Sequence, residues 1–206
     1  MLCLVKVKVC GIRTVEHARA AVEAGSDAIG FIFADSRRKV SIASAREISD
    51  SIPSSVKKIG VFVNECRTEI EKIAAQVQLD YVQLHGDETA DFMNSLTVPS
   101  YKALSIQGKE DLNGCGEFPG RFILFDSGHG EARGGNGTTF DWSYLKEVSL
   151  NKQLILAGGL HAENVRHAIM DVNPYMVDVS SGVEVNGMKD VQKIKEFIRI
   201  VKTIRK

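Results

Sequence analysis

Apolar, β-branched runs recur along this chain at nearly even intervals of about 25 residues, and that spacing constrains the fold more than any single motif does. They read VKVKV (5–9), AIGFIF (28–33), KIGVFV (58–63), LDYVQL (79–84), YKAL (101–104), FILFD (122–126), LILA (154–157) and MVDVS (176–180). Segments of helical periodicity lie between them. Val15, Ala18 and Val22 follow a Thr14 N-cap and stop at Gly25, and Ile70, Ile73, Ala74 and Val77 recur at i, i+3, i+4 and i+7. Val165, Ala168, Ile169 and Val172 repeat that spacing, and Val191, Ile194, Ile198 and Val201 form a further stripe. Strand then one-sided helix, repeated, is a series of parallel βαβ units. The economical closure is an α/β (β/α)8 TIM barrel, near the short end of its length range, with residues 1–206 as a single domain. An open doubly wound sheet is the alternative. The least regular units are the fourth, where TADFMNSL is a short helix, and the fifth, where QGKEDLNGCGEF carries glycines in place of a helix.

Composition excludes several partner classes. Basic and acidic side chains balance at 26 each, so nothing draws the chain as a whole to nucleic acid or to a membrane surface, although Arg37, Arg38 and Lys39 form a local basic patch. The apolar run in MLCLVKVKVCG is too short for a signal peptide, and nowhere do about 18 apolar residues run together, so a cytoplasmic protein is expected. The four cysteines, Cys3, Cys10, Cys66 and Cys115, lack C-x-x-C spacing and nearby histidine pairs; they read as free thiols, with no metal. Oligomeric state is open between monomer and homodimer.

In a parallel barrel the site is built where strands end. Those positions are Cys10 and Gly11, Arg38, Asn64, His85, Asp126, Gly158 and Gly159, and Ser180, Ser181 and Gly182. The glycine pair of LILAGGL and the hydroxyls of VDVSSGVE, after the seventh and eighth strands, offer backbone N–H groups to an anion, which points to phosphate. Arg38 is either a solvated charge or a forked donor for a carboxylate. His85, in QLHG, reads as a structural or secondary-shell group. Asp126 ends an otherwise apolar strand, where a carboxylate is costly unless paired, hydrogen-bonded or protonated. Cys10 and Asp126 together make a pair of titratable groups of which one removes a proton while the other donates one. Asp178 shares a face with Ser180 by alternation, and either orients the substrate or the surroundings of Cys10, or makes a structural hydrogen bond. The one extended irregular segment, SGHGEARGGNGTTF (127–140), has five glycines and reads as a functional or disordered loop.

KVCGIRT, DSRRKVS, YVQLHGDE, FDSGHGEARGGNGTTFDW, LAGGLHAENV and VDVSSGVEVNGMKD, in register from about residue 6 to 200, together resemble the phosphoribosylanthranilate isomerase family. The resemblance implies a TIM barrel without metal or cofactor. Its reaction would be the Amadori rearrangement of N-(5-phosphoribosyl)anthranilate to the 1-deoxyribulose phosphate in tryptophan biosynthesis. By position it makes Cys10 the general base and Asp126 the general acid. It places Arg38, in the S-x-R-x-V pattern of Ser36, Arg38 and Val40, at the anthranilate carboxylate. Gly158, Gly159, Ser181 and Gly182, with Gly135 and Gly137, would then hold phosphate. Asn136 departs from the small hydroxyl residue common between those last two glycines, and Met188 stands where a hydrophobe varies. Two other readings keep the barrel: the related aminoaldose isomerisation of histidine biosynthesis, whose family has an acid where Cys10 stands, and a barrel that binds a phosphorylated ligand without turning it over.

Overall fold

The structure, a computed structural model, describes residues 5–127, 139–148 and 150–204. Eight parallel strands pair in sequence order: β1 (Lys6–Cys10), β2 (Ala28–Ile32), β3 (Lys57–Phe62), β4 (Tyr81–Leu84), β5 (Ser100–Ile106), β6 (Phe122–Ser127), β7 (Gln153–Leu156) and β8 (Met176–Val179). β8 pairs back onto β1, with Lys8 opposite Asp178 and Val9 opposite Val179, so the sheet is a closed barrel and the doubly wound alternative is excluded. A two-stranded antiparallel hairpin, β9 (Glu184–Val185) and β10 (Met188–Lys189), follows β8.

Helices α1 (Val15–Glu23), α2 (Ile42–Asp50), α3 (Arg67–Val77), α4 (Ala90–Ser95), α5 (Val165–Val172) and α6 (Val191–Thr203) lie outside the strands. The expected Thr14 cap is present, its hydroxyl accepting from the His17 N–H. On α6 the stripe closes over the barrel: Ile194, Phe197, Ile198 and Val201 are fully buried, each worth about 1.5–3 kcal/mol of transfer free energy. The irregular fifth unit forms two 3-10 turns, Lys109–Leu112 and Cys115–Glu117, because Gly114 sits at φ 71° between them and breaks any continuous helix. The sixth unit is also a 3-10 turn, Trp142–Glu147.

Strand alternation sorts the barrel into two surfaces. Val7, Val9, Ile29 and Phe31 point outward into the layer under the helices. Inside, the N-terminal end is plugged by aromatics, with Phe122 packed on Tyr81 at 5.5 Å, Tyr101 at 6.2 Å and Tyr175 at 5.5 Å between ring centroids. Above that plug the interior turns polar.

Candidate active site

A cavity of about 820 Å³ opens at the C-terminal mouth. Cys10, Arg38, His85, Asp126, Gly158, Gly159, Asp178 and Ser181 all line it, so the structure brings together residues that lie up to 171 positions apart in the chain. Gly182 stands behind this wall: a Cβ there would run into the Leu160 carbonyl, so its small size lets the loop after β8 pack on the loop after β7. Gly135 and Gly137 lie outside the described residues.

The floor of the cavity is a cluster of buried titratable groups. Alternation along β1 points Lys8 and Cys10 inward; Lys8 is wholly buried and donates to Asp178 Oδ2 at 2.6 Å and to Gln83 Oε1 at 2.9 Å. The Tyr101 hydroxyl donates to the same Gln83 oxygen at 3.0 Å. Cys10 stands directly opposite Gly30 on β2, where a Cβ would approach its Sγ to 2.8 Å. Asp126, at the mouth end of β6, has one carboxylate oxygen, Oδ1, buried without a hydrogen-bond partner among the described residues, and Asp178 Oδ1 is in the same state. Burial, and then the neighbouring Asp178 charge, push the Asp126 carboxyl up to about 7, against the Ser127 backbone N–H and Lys8. Burial also pushes the Cys10 thiol above its ordinary value; Lys8 opposes that rise, Asp178 adds to it and Lys189 opposes it.

The rim is built differently. Arg38 grips Glu184 with both arms of its fork, Nε to Oε1 at 2.7 Å and Nη2 to Oε2 at 2.9 Å. Lys189 donates to Glu184 Oε1 at 2.7 Å, to the Ser180 carbonyl at 2.8 Å and to the Ser180 hydroxyl at 3.2 Å. Glu184 is held down at about 2: burial favours its neutral form but is outweighed by the Arg38 hydrogen bonds and by Lys189. Arg38 is therefore a buried member of the wall and not a solvated charge, and its fork faces an internal carboxylate.

The glycine pair after β7 adopts positive φ, 85° at Gly158 and 61° at Gly159. A side chain at Gly158 would collide with the Ser127 backbone N and come within 2.9 Å of Asp126 Oδ1, so this glycine also clears the space around the carboxylate. No hydrogen bond to a described residue occupies the N–H of Gly159, Ser181 or Gly182.

Four residues that sequence reasoning passed over shape the site: Lys8, Gly30, Glu184 and Lys189. The alternation in KVKVC already placed Lys8 on the same face as Cys10. VEVNGMK carried the Asn-Gly signal of a tight hairpin, and Asn186 and Gly187 do adopt φ 50° and 76°, which sets Glu184 opposite Lys189.

A closed parallel barrel with an acid and a thiol facing one cavity at its C-terminal mouth is a TIM-barrel enzyme by architecture. The sequence profile described as N-(5'phosphoribosyl)anthranilate (PRA) isomerase matches residues 7–200. The N-(5'-phosphoribosyl)anthranilate isomerase of Bacillus cereus strain G9842 is 50% identical over 195 residues, covering 94% of this chain and 96% of that one. The crystal structure of phosphoribosyl anthranilate isomerase from Thermotoga maritima superposes with a TM-score of 0.89 at 43% identity, over 98% of this chain and 100% of that one. A solved phosphoribosyl anthranilate isomerase in complex with reduced 1-(o-carboxyphenylamino)-1-deoxyribulose 5-phosphate gives 0.83 at 40% identity over the same shares. The chain belongs to the N-(5'-phosphoribosyl)anthranilate isomerase family.

Proposed function

We propose that Asp126 and Cys10 divide the acid and base work of the family's reaction, with Asp126 as acid and Cys10 as base. As a member of the family, the chain is an isomerase of tryptophan biosynthesis that converts an aldose to a ketose. The observation that carries the assignment is the pairing of a carboxyl raised to about 7 with an inward-facing thiol on one cavity.

The protonated Asp126 donates to the furanose ring oxygen of N-(5'-phosphoribosyl)anthranilate; the C1'–O bond breaks and the anilino nitrogen's lone pair forms an iminium. The Cys10 thiolate then takes the C2' proton, and the C2'–H electrons neutralise the iminium to give an enolamine. Tautomerisation moves the C2' hydroxyl proton to C1' and leaves the ketone. The pair starts as acid and thiolate and ends as carboxylate and thiol, holding one proton throughout, so it resets by exchanging that proton.

This division demands an uncommon ionisation state. The acid ionises near 7 and the thiol above its ordinary value, so between those values most molecules hold carboxylate and thiol. The productive form, carboxyl plus thiolate, is then a few per cent of the total at most. The iminium cation, once formed, favours the thiolate beside it.

For the remaining positions the reading follows charge and backbone geometry. Phosphate fits the N–H groups after β7 and β8, joined by the loop that carries Gly135 and Gly137. The anthranilate carboxylate fits Arg38, at the arm of its guanidinium that Glu184 does not occupy. His85 takes a supporting place on the cavity wall. Among the described residues no helix is long and apolar enough to cross a membrane.

The test is turnover of N-(5'-phosphoribosyl)anthranilate, followed by loss of its fluorescence, in wild type and Cys10→Ser, with the aminoaldose of histidine biosynthesis assayed in parallel. Wild type should consume only the first, and the variant should fall by about two to four orders of magnitude. Near-normal turnover by the variant removes Cys10 from the base role.

A further inference from the structure

Two lysines approach the Cys10 thiol, and they differ in how their donors are used. An ammonium has three N–H donors. Lys189 spends three, on Glu184, the Ser180 carbonyl and the Ser180 hydroxyl. Lys8 spends two, on Asp178 and Gln83, both within the barrel interior. It lies two residues before Cys10 on the same face of β1, and both side chains crowd Gly30: a Cβ there would stand 2.8 Å from Cys10 Sγ and 3.1 Å from Lys8 Cε. The Lys8 ammonium stands close enough to the sulfur for a side-chain hydrogen bond to oppose the rise of the thiol, and the glycine opposite leaves room for both side chains.

We propose that Lys8 is the positioning cation of the base: its third N–H donates to Cys10 Sγ and stabilises the thiolate that takes the C2' proton. The proposal rests on the assignment of Cys10 as base and deepens it. Lys8 never meets the substrate. It acts through the sulfur, and Asp178 in turn holds it in place from the facing position on β8. Burial by itself would favour the neutral amine, but the Asp178 carboxylate, through its charge and its hydrogen bond, keeps Lys8 an ammonium. The same geometry explains why a lysine occupies the interior of β1 at all: isolated, a buried cation would be strongly disfavoured, and here it serves two acidic partners at once.

The groups facing the thiol are Lys8 on its own strand, Asp178 from β8, Asp126 from β6, His85 from β4, Tyr101 from β5, Lys189 from β10 and Arg38 from the loop after β2. Removing one cation and one anion separately therefore gives opposite signs. The experiment is the pH dependence of Cys10 alkylation by iodoacetamide, read by mass spectrometry of the peptide containing Cys10 so that the other cysteines do not interfere. In Lys8→Met the midpoint should rise by about one pH unit or more, and in Asp178→Asn, where Lys8 remains, it should fall. kcat at pH 7 should drop about tenfold or more in Lys8→Met with KM little changed, because the substrate contacts are intact. An unchanged or lower midpoint in Lys8→Met overturns the proposal. Should Lys8→Met fail to fold, with Asp178 left as a lone buried charge, the comparison passes to Lys8→Met/Asp178→Asn against Asp178→Asn. A higher midpoint in the double variant supports the role and an equal one refutes it. Alkylation needs no turnover, so a shifted midpoint beside an active Cys10→Ser enzyme would strike the base assignment while leaving the Lys8–thiol contact standing.

Discussion

The floor and the rim of one cavity handle buried charge in opposite ways. At the rim, Glu184 has both oxygens engaged by Arg38, with Lys189 on one of them, and its carboxyl is held at about 2. At the floor, Asp126 and Asp178 each keep a buried oxygen without a partner among the described residues, and Asp126 is raised to about 7. A carboxylate with its acceptors filled has nothing left to exchange, so the rim group is structural. A carboxyl short of donors holds its proton into the neutral range, and a proton to give is what an acid catalyst needs. Both side chains are largely hidden from solvent, and they differ in that Glu184 is well supplied with donors while Asp126 is not.

The sharpest way to break the contrast is at Asp126. Asp126→Asn should lower turnover about a thousandfold. The same change should make the protein more stable at pH 8, by no more than about 4 kcal/mol, since the carboxyl shifts from its ordinary 3.8 to about 7 on folding. A raised pKa means the folded state resists ionisation: the penalty is absent below pH 3.8, grows from there to about 7 and is constant above. Melting temperatures of wild type and variant, measured across that range, should therefore converge in acid and separate at neutrality. Equal melting at pH 8 would mean that the floor carboxylate is well solvated, and the contrast with the rim would be lost.

Glu184→Gln probes the other side with the opposite sign. Breaking the buried pair should cost about 3 kcal/mol at pH 7, read by urea unfolding, because Arg38 and Lys189 lose their shared counter-charge. A folded pKa of about 2 against an ordinary 4.5 makes the contribution complete above 4.5 and lost as pH falls toward 2, so the two proteins should approach each other on acidification. Turnover should respond mainly through KM as Arg38 loses its anchor. A variant as stable as wild type at pH 7 would show that the rim pairs do not bear on folding.

A smaller effect appears in the wild-type pH profile. kcat/KM should rise up to about pH 7, run flat, then fall above the thiol value, and the lower limb belongs to Asp126, the first of the pair to ionise. The check is Cys10 alkylation: its midpoint must lie above that lower limb. Coincidence of the two near pH 7 would return the limb to the thiol and remove the inverted ionisation.

Most of the architecture was legible in the sequence because each strand and helix carries its own periodicity. All eight expected strands are present, and the Thr14 cap and the α3 and α6 stripes lie where the spacing put them. The fifth unit was harder, since glycine and short 3-10 turns replace helix there and leave no 3.6-residue pattern, and the described residues of the sixth unit form a 3-10 turn as well. For the site, strand ends located Cys10, Asp126 and Asp178 on the cavity. What strand ends could not tell was which charges meet across the barrel. Lys8 and Asp178 are 170 residues apart, and Arg38 and Glu184 are 146, so only ring closure and the β9–β10 hairpin reveal them as partners. The loop glycines Gly135 and Gly137 fall outside the described residues and stay with the proposal.

The finest comparison sets one glycine at the floor against one at the rim. Gly30 has no need of left-handed backbone; its requirement is space, since a Cβ would come within 2.8 Å of Cys10 Sγ and 3.1 Å of both Cys10 Cα and Lys8 Cε. Gly187 is the reverse: a Cβ there meets no described residue within 4 Å, but φ is 76° at the hairpin tip. Gly30→Ala should therefore displace the thiol and the Lys8 stem, lowering kcat about tenfold with KM nearly fixed and a stability loss of about 1–3 kcal/mol. Gly187→Ala should cost about 1 kcal/mol through backbone strain alone and leave kcat unchanged. The discriminating measurement is the ratio of the two kcat values beside the two melting temperatures. Equal kcat in both variants would mean that the thiol has wide positional tolerance and that the space left by Gly30 does not serve Cys10. A kcat loss confined to Gly30→Ala, at comparable stability, ties that space to the reaction itself.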